Sequence, residues 1–139
     1  MIVYIDTSVL LKLLLTEPGS ETATEIWQSA DVLAAARIEY AEARAALAAA
    51  VRGGRITTNQ LAEVKVELEA LWAQFVVVEI TEELVELAGD LAEAEGLRGY
   101  DAIHLAAAVT VSADIVATAD VDLLDAAARR GMHAANPLS

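Results

Sequence analysis

The chain has 139 residues, of which 56% are hydrophobic, so its length and composition predict one domain with a substantial core and exclude a disordered protein. The absence of cysteine excludes disulfides and thiolate metal sites. The formal net charge of -13 argues against non-specific binding to nucleic acid, because the chain repels phosphate, and we expect no DNA binding by this chain alone.

Strands and helices are predicted to alternate along the chain. Strands are predicted at residues 2–5, 31–34, 75–80 and 115–118, with a short edge strand at 132–135. Helices are predicted at residues 9–15, 20–30, 37–52, 57–74, 81–96, 100–112 and 121–130. This order predicts an α/β domain over residues 1–139, with helices on both faces of a central, mainly parallel sheet of four to five short strands.

The two longest predicted helices are joined by only a few residues. Gly53 and Gly54 end the first helix, and Thr57 begins the second. So short a connection predicts an antiparallel helical hairpin over about 37–74, which we expect to stand off the sheet as an arm.

Composition also bears on location and partners. No apolar run approaches the roughly 20 residues that span a bilayer, and no secretory signal is visible at the N-terminus, so we expect a cytoplasmic protein with no membrane contact. The excess of acidic residues favours a basic protein partner, or a site in which metal ions reverse the local field.

Four carboxylates occupy positions that tend to converge in an α/β fold. Asp6 directly follows an apolar strand, and Asp120 closely follows another. Asp101 lies at the start of one alanine-rich helix, and Glu42 lies inside another. Acidic residues at strand ends and helix starts meet in the crevice at one edge of a parallel sheet. Clustered carboxylates with little positive charge nearby suggest a divalent metal ion and hydrolysis.

Each carboxylate also has an ordinary structural explanation. Asp6 is placed to cap the following helix, a role compatible with metal binding. Asp101 interacts favourably with the dipole of its own helix. Glu39, three residues before Glu42, is an alternative candidate for the glutamate of the site. Either glutamate is also placed to form a surface ion pair with Arg37 or Arg44.

Two further residues lie close to these carboxylates in sequence. His104 shares a helix face with Asp101, which suggests a metal ligand or base, but its apolar neighbours favour a neutral core histidine bonded to a backbone carbonyl. Without a histidine ligand the site would consist of oxygen atoms alone, and such a site suits Mg²⁺ or Mn²⁺. Asp122, two residues after Asp120, either faces the same crevice or caps the next helix.

Four segments together resemble the motifs of PIN domains. They are Met1-Ile2-Val3-Tyr4-Ile5-Asp6-Thr7-Ser8, Glu42-Ala43-Arg44, the stretch from Leu97-Arg98-Gly99-Tyr100-Asp101 to Ala108, and Val116-Ala117-Thr118-Ala119-Asp120. The resemblance covers essentially the whole chain in order and spacing. It is closest to the single-domain VapC-like toxins of type II toxin–antitoxin systems.

This resemblance implies a fold, an activity and partners. It implies a PIN-like α/β/α sandwich, an endoribonuclease that needs Mg²⁺ or, as a substitute, Mn²⁺, an RNA substrate, a homodimer and inhibition by a cognate VapB-like antitoxin with a basic segment. The catalytic and metal-binding residues it implies are Asp6, Glu42, Asp101 and Asp120. The side chains that would support them are those of Thr7, Ser8 and Thr118, with Asp122 as a further candidate. The sequence Ala36-Arg37-Ile38, before Glu42, departs from the family pattern, since many relatives have a serine there.

The implied mechanism is hydrolysis of an RNA phosphodiester. By this hypothesis Asp6 and Asp101 hold the principal ion directly, and Asp120 and Glu42 contribute through water or a second ion. Two alternatives stay open. A haloacid-dehalogenase-type phosphatase also begins with a strand that ends in aspartate, but it needs a second acid where this chain has Ser8. A catalytically silent PIN-like module would keep the fold only to bind its partner.

Overall fold

Five short strands form one sheet in the computed structural model, which describes residues 1–139. The strands are β1 (Ile2–Ile5), β2 (Val32–Ala36), β3 (Phe75–Val78), β4 (Ile115–Ala117) and β5 (His133–Ala135). Their spatial order is β3-β2-β1-β4-β5, and every neighbouring pair is parallel. The predicted α/β class and parallel sheet are confirmed.

Seven helices cover the two faces of the sheet. They are α1 (Thr7–Leu14), α2 (Ser20–Ser29), α3 (Ile38–Arg52), α4 (Thr58–Trp72), α5 (Glu82–Glu95), α6 (Gly99–Thr110) and α7 (Val121–Arg129). Helices α5, α6 and α7 pack on one face around a cluster of 18 buried residues, and α1 to α4 contribute to a cluster of 15 on the other. The result is the expected three-layer sandwich.

The side chains of the central strand β1 alternate between the two faces of the sheet. Tyr4 belongs to one hydrophobic cluster, whereas Val3 and Ile5 belong to the other. This alternation follows from the two-residue period of a strand. All three side chains are fully buried, as expected for a strand covered on both faces.

The chain reverses direction across the sheet at β1. From β1 it continues outward to β2 and β3, and it then returns to the other side of β1 as β4 and β5. A parallel sheet with such a reversal has a crevice at the carboxyl ends of the two strands that flank it, here β1 and β4.

Helix ends follow the local sequence. Thr57 and Gln60 form a reciprocal capping box at the start of α4, and Thr81 accepts a hydrogen bond from the Leu84 N–H at the start of α5. Gly96 ends α5 with a φ of 66°, a left-handed conformation that glycine adopts without strain. This stop directs the chain into the segment that begins α6.

Two predicted strand boundaries need correction. Strand β2 extends to Ala36, two residues beyond the predicted end, and β3 ends at Val78 instead of at residue 80. The hairpin formed by α3 and α4 contributes to the core. Leu47 in α3 and Leu68 in α4 are fully buried in the same cluster as α1, because apolar positions recur along the inner faces of both helices. No helix has the length and apolar character needed to cross a membrane.

Candidate active site

The four predicted carboxylates lie at the carboxyl edge of the sheet. Asp6 follows β1, and Asp120 follows β4, which are the two strands at the crevice. Helix α3 begins just after β2, which brings Glu42 to this edge, and α6 runs back from this edge towards the start of β4, which brings Asp101 there. The fold therefore gathers residues that are far apart in sequence.

Asp6 is held on both carboxylate oxygens. Its Oδ1 accepts hydrogen bonds from Ser8 Oγ at 2.6 Å and from the Val9 N–H at 3.2 Å, and its Oδ2 accepts one from Thr118 Oγ1 at 2.5 Å. Burial raises the pKa of Asp6, and the hydrogen bonds from Ser8 and Thr118 partly offset that rise. The side chain is only 5% exposed, so it presents a fixed carboxylate to the crevice. The predicted helix cap is confirmed as well.

Two hydroxyls connect Asp6 to the segment that contains Asp120. Thr118 Oγ1 accepts the Asp120 N–H at 2.9 Å while donating to Asp6, and Ser8 Oγ accepts the Ala119 N–H at 3.0 Å while donating to Asp6. Each hydroxyl therefore donates its single proton to the Asp6 carboxylate and accepts a backbone N–H with a lone pair. This arrangement fixes the loop after β4 relative to β1.

Glu42 lies between a hydroxyl and an imidazole. Its Oε1 accepts a hydrogen bond from Thr7 Oγ1 at 2.9 Å and lies 3.4 Å from His104 Nε2. Partial burial raises the pKa of Glu42, but the hydrogen bonds from His104 and Thr7 outweigh burial and leave that pKa below its ordinary value. Glu42 is thus an ionised carboxylate at the site.

His104 does not have the environment that we expected. Its Nδ1 lies 2.7 Å from the hydroxyl of Tyr4, which donates its proton to Glu39 Oε2 at 3.0 Å. Nδ1 must therefore be the donor to Tyr4, and a neutral ring would then present the lone pair of Nε2 to the carboxylate of Glu42. Burial lowers the pKa of His104, but the bond to Glu42 and the charges of Glu39 and Asp6 outweigh it and raise the pKa to about 9.

The predicted bond from His104 to a backbone carbonyl is accordingly wrong. His104 is buried as predicted, but its ring nitrogens face Tyr4 and Glu42, and the acidic groups around the ring raise its pKa. Its acidic partners come from β1 and α3, a connection that the apolar residues around it in the sequence do not reveal.

Glu39 lies beneath the site. It is fully buried, and its Oε2 accepts hydrogen bonds from the Ala36 N–H at 2.7 Å and from Tyr4, whereas its Oε1 has no partner. Burial raises its pKa to about 8 in spite of the positive charge of His104. Glu39 is therefore a buried acid behind His104, and Glu42 is the glutamate that stands beside Thr7 at the edge.

Asp101 and Asp120 share a cationic neighbour that the sequence reasoning overlooked. Arg98 Nε lies 3.4 Å from Asp101 Oδ2, and Arg98 Nη2 lies 3.6 Å from Asp120 Oδ2. The arginine side chain is 80% exposed, whereas that of Asp101 is 13% exposed. The separation of three residues between Arg98 and Asp101 on one helix end is the sequence signal that could have revealed the pair.

The remaining predicted neighbours contribute less. Asp122 is exposed and gives only its backbone N–H, which donates to Asp120 Oδ1 at 2.9 Å.

Arg37 pairs with Glu79 and not with either glutamate of α3, because both of those side chains point towards the buried network. The suggested pairing of Arg37 with Glu39 or Glu42 is therefore wrong.

The donor set fits a hard divalent cation in its chemistry. Carboxylate and hydroxyl oxygens surround the crevice, which suits Mg²⁺ or Mn²⁺. In the side-chain arrangement of this structure, no three Asp, Glu or His side chains come close enough to hold a metal ion together. Asp101 and Asp120 face Arg98 instead, so an ion would have to replace the guanidinium as their partner.

Comparison with known proteins agrees with this fold. A family model described as the PIN domain matches residues 3–129. Because the match spans most of the chain, the protein belongs to the PIN domain family, and the resemblance found in the sequence motifs is confirmed.

Individual relatives give the same result. Ribonuclease VapC45 from Mycobacterium tuberculosis (strain CDC 1551 / Oshkosh) is 44% identical over 110 residues, which cover 79% of this chain and 76% of that protein. The crystal structure of FitAcB from Neisseria gonorrhoeae matches with a TM-score of 0.75 at 22% identity, covering 99% of this chain and 98% of that one. A toxin–antitoxin complex from Klebsiella pneumoniae matches with a TM-score of 0.62 at 21% identity, covering 85% of this chain and 86% of that chain.

Proposed function

We propose that this protein is a Mg²⁺- or Mn²⁺-dependent endoribonuclease and the toxin of a type II toxin–antitoxin pair. The main supporting observation is that Asp6 and Asp120 are tied together through Thr118 at the point where the strand order reverses, with Glu42 and Asp101 at the same edge. The proposed substrate class, RNA, is supported by the relative with 44% identity, which is named a ribonuclease.

The metal would be held mainly by Asp6 and Asp101, with Asp120 and Glu42 contributing through water or a second ion. A bound divalent cation supplies Lewis-acid activation of water and positive charge for the phosphoryl oxygens. Ser8 and Thr118 hold the Asp6 carboxylate in one orientation, so little of its rotamer freedom is lost on binding. Thr7 and His104 do the same for Glu42 and keep it ionised.

Electrostatics determine how RNA reaches this site. The net charge of -13 makes the chain as a whole repulsive to phosphate, so affinity must come from local contacts and from bound metal. We therefore expect RNA binding to depend on Mg²⁺ and to be selective for particular substrates.

The proposed partners follow from the same charge. A basic segment of a VapB-like antitoxin would be attracted to the acidic crevice, and its Arg or Lys side chains would compete there with metal. A related fold occurs in the toxin–antitoxin complex from Klebsiella pneumoniae, which supports a partner of this kind. A homodimer is part of the same proposal.

Cleavage of defined RNAs tests the proposed activity. Purified protein is incubated with an RNA panel and Mg²⁺ or Mn²⁺, with and without EDTA, beside the variants Asp6→Asn and Asp101→Asn. We expect metal-dependent cleavage by the wild type and its loss in both variants, since each substitution removes a charged ligand.

Other outcomes identify the alternatives. Equal cleavage by the wild type and both variants would indicate a contaminating nuclease and contradict the proposed site. A folded wild type that cleaves no RNA would favour the silent binding module. Phosphate release from a small phosphomonoester without RNA cleavage would favour the haloacid-dehalogenase-type phosphatase.

A further inference from the structure

Arg98 differs from the other basic residues of the chain in its partners. Arg98 is the only one of the nine Lys and Arg residues that forms ion pairs with the four predicted carboxylates. Its partners are Asp101 and Asp120. Lys12 and Arg55 pair with Glu17 instead, on another part of the surface. A site that must handle phosphate on a molecule of net charge -13 thus has a single Lys or Arg side chain paired with its carboxylates.

The geometry of Arg98 favours exchange of partners over a permanent ion pair. Its two N···O distances of 3.4 and 3.6 Å are long for a guanidinium–carboxylate pair, and each carboxylate meets a single nitrogen. The side chain is 80% exposed, so it can rotate without disturbing the core. Its backbone remains fixed, because the Arg98 carbonyl accepts the Ala102 N–H at the start of α6.

We propose that Arg98 is the phosphate-binding residue of this site. Without metal its guanidinium neutralises Asp101 and Asp120. When a divalent ion takes those carboxylates, the guanidinium turns to the non-bridging oxygens of the RNA phosphodiester. This inference depends on the proposed ribonuclease function and adds the residue that binds the substrate phosphate.

The chemistry of arginine fits both partners. The planar guanidinium forms bidentate hydrogen bonds with carboxylate and with phosphate, and it stays protonated throughout. A metal ion and Arg98 compete for the same carboxylate charge, whereas metal and phosphate favour each other. Arg98 should therefore oppose metal binding in the free protein and promote RNA binding in the metal-loaded protein.

Substitution of Arg98 separates these two effects. The variants are Arg98→Gln, which removes the charge at similar length, and Arg98→Lys, which keeps the charge without the bidentate fork. Arg52→Gln is the matched control, since it makes the same change in net charge ten residues beyond Glu42 on α3, about 15 Å away. Mn²⁺ affinity is measured by electron paramagnetic resonance without RNA, and kcat and KM are measured on a cleaved RNA.

We expect Arg98→Gln to bind Mn²⁺ several-fold more tightly than the wild type and to raise the KM for RNA about tenfold, the scale of one lost charged hydrogen bond. Arg98→Lys should restore Mn²⁺ affinity to near the wild-type value but recover KM only in part, because an ammonium lacks the fork. Arg52→Gln should change neither quantity more than about twofold.

Three results would overturn the proposal. If Arg98→Gln matches Arg52→Gln in both measurements, Arg98 is an ordinary surface ion-pair residue. If Arg98→Gln weakens Mn²⁺ binding, the arginine orients Asp101 instead of competing with metal. If the wild type itself binds no Mn²⁺, the proposed function fails together with this inference, whereas failure of the inference alone leaves metal-dependent cleavage by the wild type intact.

Discussion

The two sides of the candidate site are built differently. On the Asp6 side, the carboxylates of Asp6 and Glu42 are bonded to the hydroxyls of Thr7, Ser8 and Thr118. On the Asp101 side, Asp101 and Asp120 face the exposed guanidinium of Arg98 at 3.4 and 3.6 Å.

This difference separates a prepared half of the site from an exchangeable half. Buried hydroxyl–carboxylate bonds fix geometry before a ligand arrives, and this reduces the entropic cost of binding. A solvent-exposed ion pair is weak and easily replaced. We infer that the Asp6 side fixes the position of a bound ion. On the Asp101 side, the ion must displace the guanidinium of Arg98.

Removal of charge from the Asp6 side should have the largest effect. Asp6→Asn keeps the size of the side chain and its ability to cap α1 but removes a negative charge from the proposed metal ligand. We expect RNA cleavage to fall by at least about 100-fold, since even residues that only support metal ligands are worth 10–100-fold. The comparison is Asp90→Asn, an exposed residue of α5, which should cleave like the wild type. An Asp6→Asn protein that cleaves normally would contradict the role of the Asp6 side.

Loss of the supporting hydroxyl should have the next largest effect. Thr118→Val keeps the shape of a fully buried side chain but leaves Asp6 Oδ2 and the Asp120 N–H without their shared partner. We expect Mn²⁺ affinity to fall about 10–100-fold and the free energy of unfolding to fall by about 1–3 kcal/mol. Thr110→Val, which removes a hydroxyl bonded to a backbone carbonyl in α6, is the control. Equal Mn²⁺ affinity in the two variants would show that Thr118 does not prepare the site.

The buried network behind the Asp6 side should make stability depend on pH. Folding raises the pKa of Glu39 from 4.5 to about 8 and that of His104 from 6.5 to about 9, so the folded chain binds these protons more tightly than the unfolded chain. The resulting stability is fully present below the unfolded values and is lost as pH rises through the folded ones. We expect urea denaturation of the metal-free protein to show a free energy of unfolding that falls between pH 4.5 and pH 9, with the Glu39 contribution lost up to about pH 8 and the His104 contribution lost above pH 6.5.

Glu39→Gln tests the origin of that slope. The amide has the size of the acid but does not titrate, so the fall in stability with rising pH should become smaller in the variant. An unchanged slope would mean that Glu39 does not hold its proton more tightly in the folded protein.

The smallest effect is expected for Asp122. Its side chain is exposed and makes no hydrogen bond, and only its backbone N–H contacts Asp120. Asp122→Asn should therefore change stability by no more than about 0.5 kcal/mol and leave cleavage within about twofold of the wild type. A loss of cleavage comparable to that of Asp101→Asn would show that Asp122 supports the site, as one interpretation of the sequence suggested.

Local pattern explains why most of the fold could be predicted. The alternation of strands and helices, the Thr57 and Thr81 caps and the glycine at the end of α5 all act within a few residues. The convergence of Asp6 with Asp120 was predictable as well, because parallel strands bring their carboxyl ends to one edge.

The contacts of the site itself depend on distances across the fold. His104 meets Tyr4 across 100 residues and Glu39 from another helix, so its apolar neighbours in sequence give no sign of these polar partners. The pairing of Arg98 with Asp120 likewise joins a helix start to the loop after β4, which are far apart in sequence. Such pairings follow from tertiary structure, and local periodicity does not contain them.

Binding of Mn²⁺ to the metal-free protein tests the central claim most directly. Electron paramagnetic resonance of the wild type, Asp6→Asn and Asp101→Asn, titrated under identical conditions without RNA, measures ion binding apart from catalysis. We predict saturable binding by the wild type and its loss in both variants, one from each side of the site. Binding that is absent in the wild type, or unchanged in both variants, would contradict a metal site formed by these carboxylates.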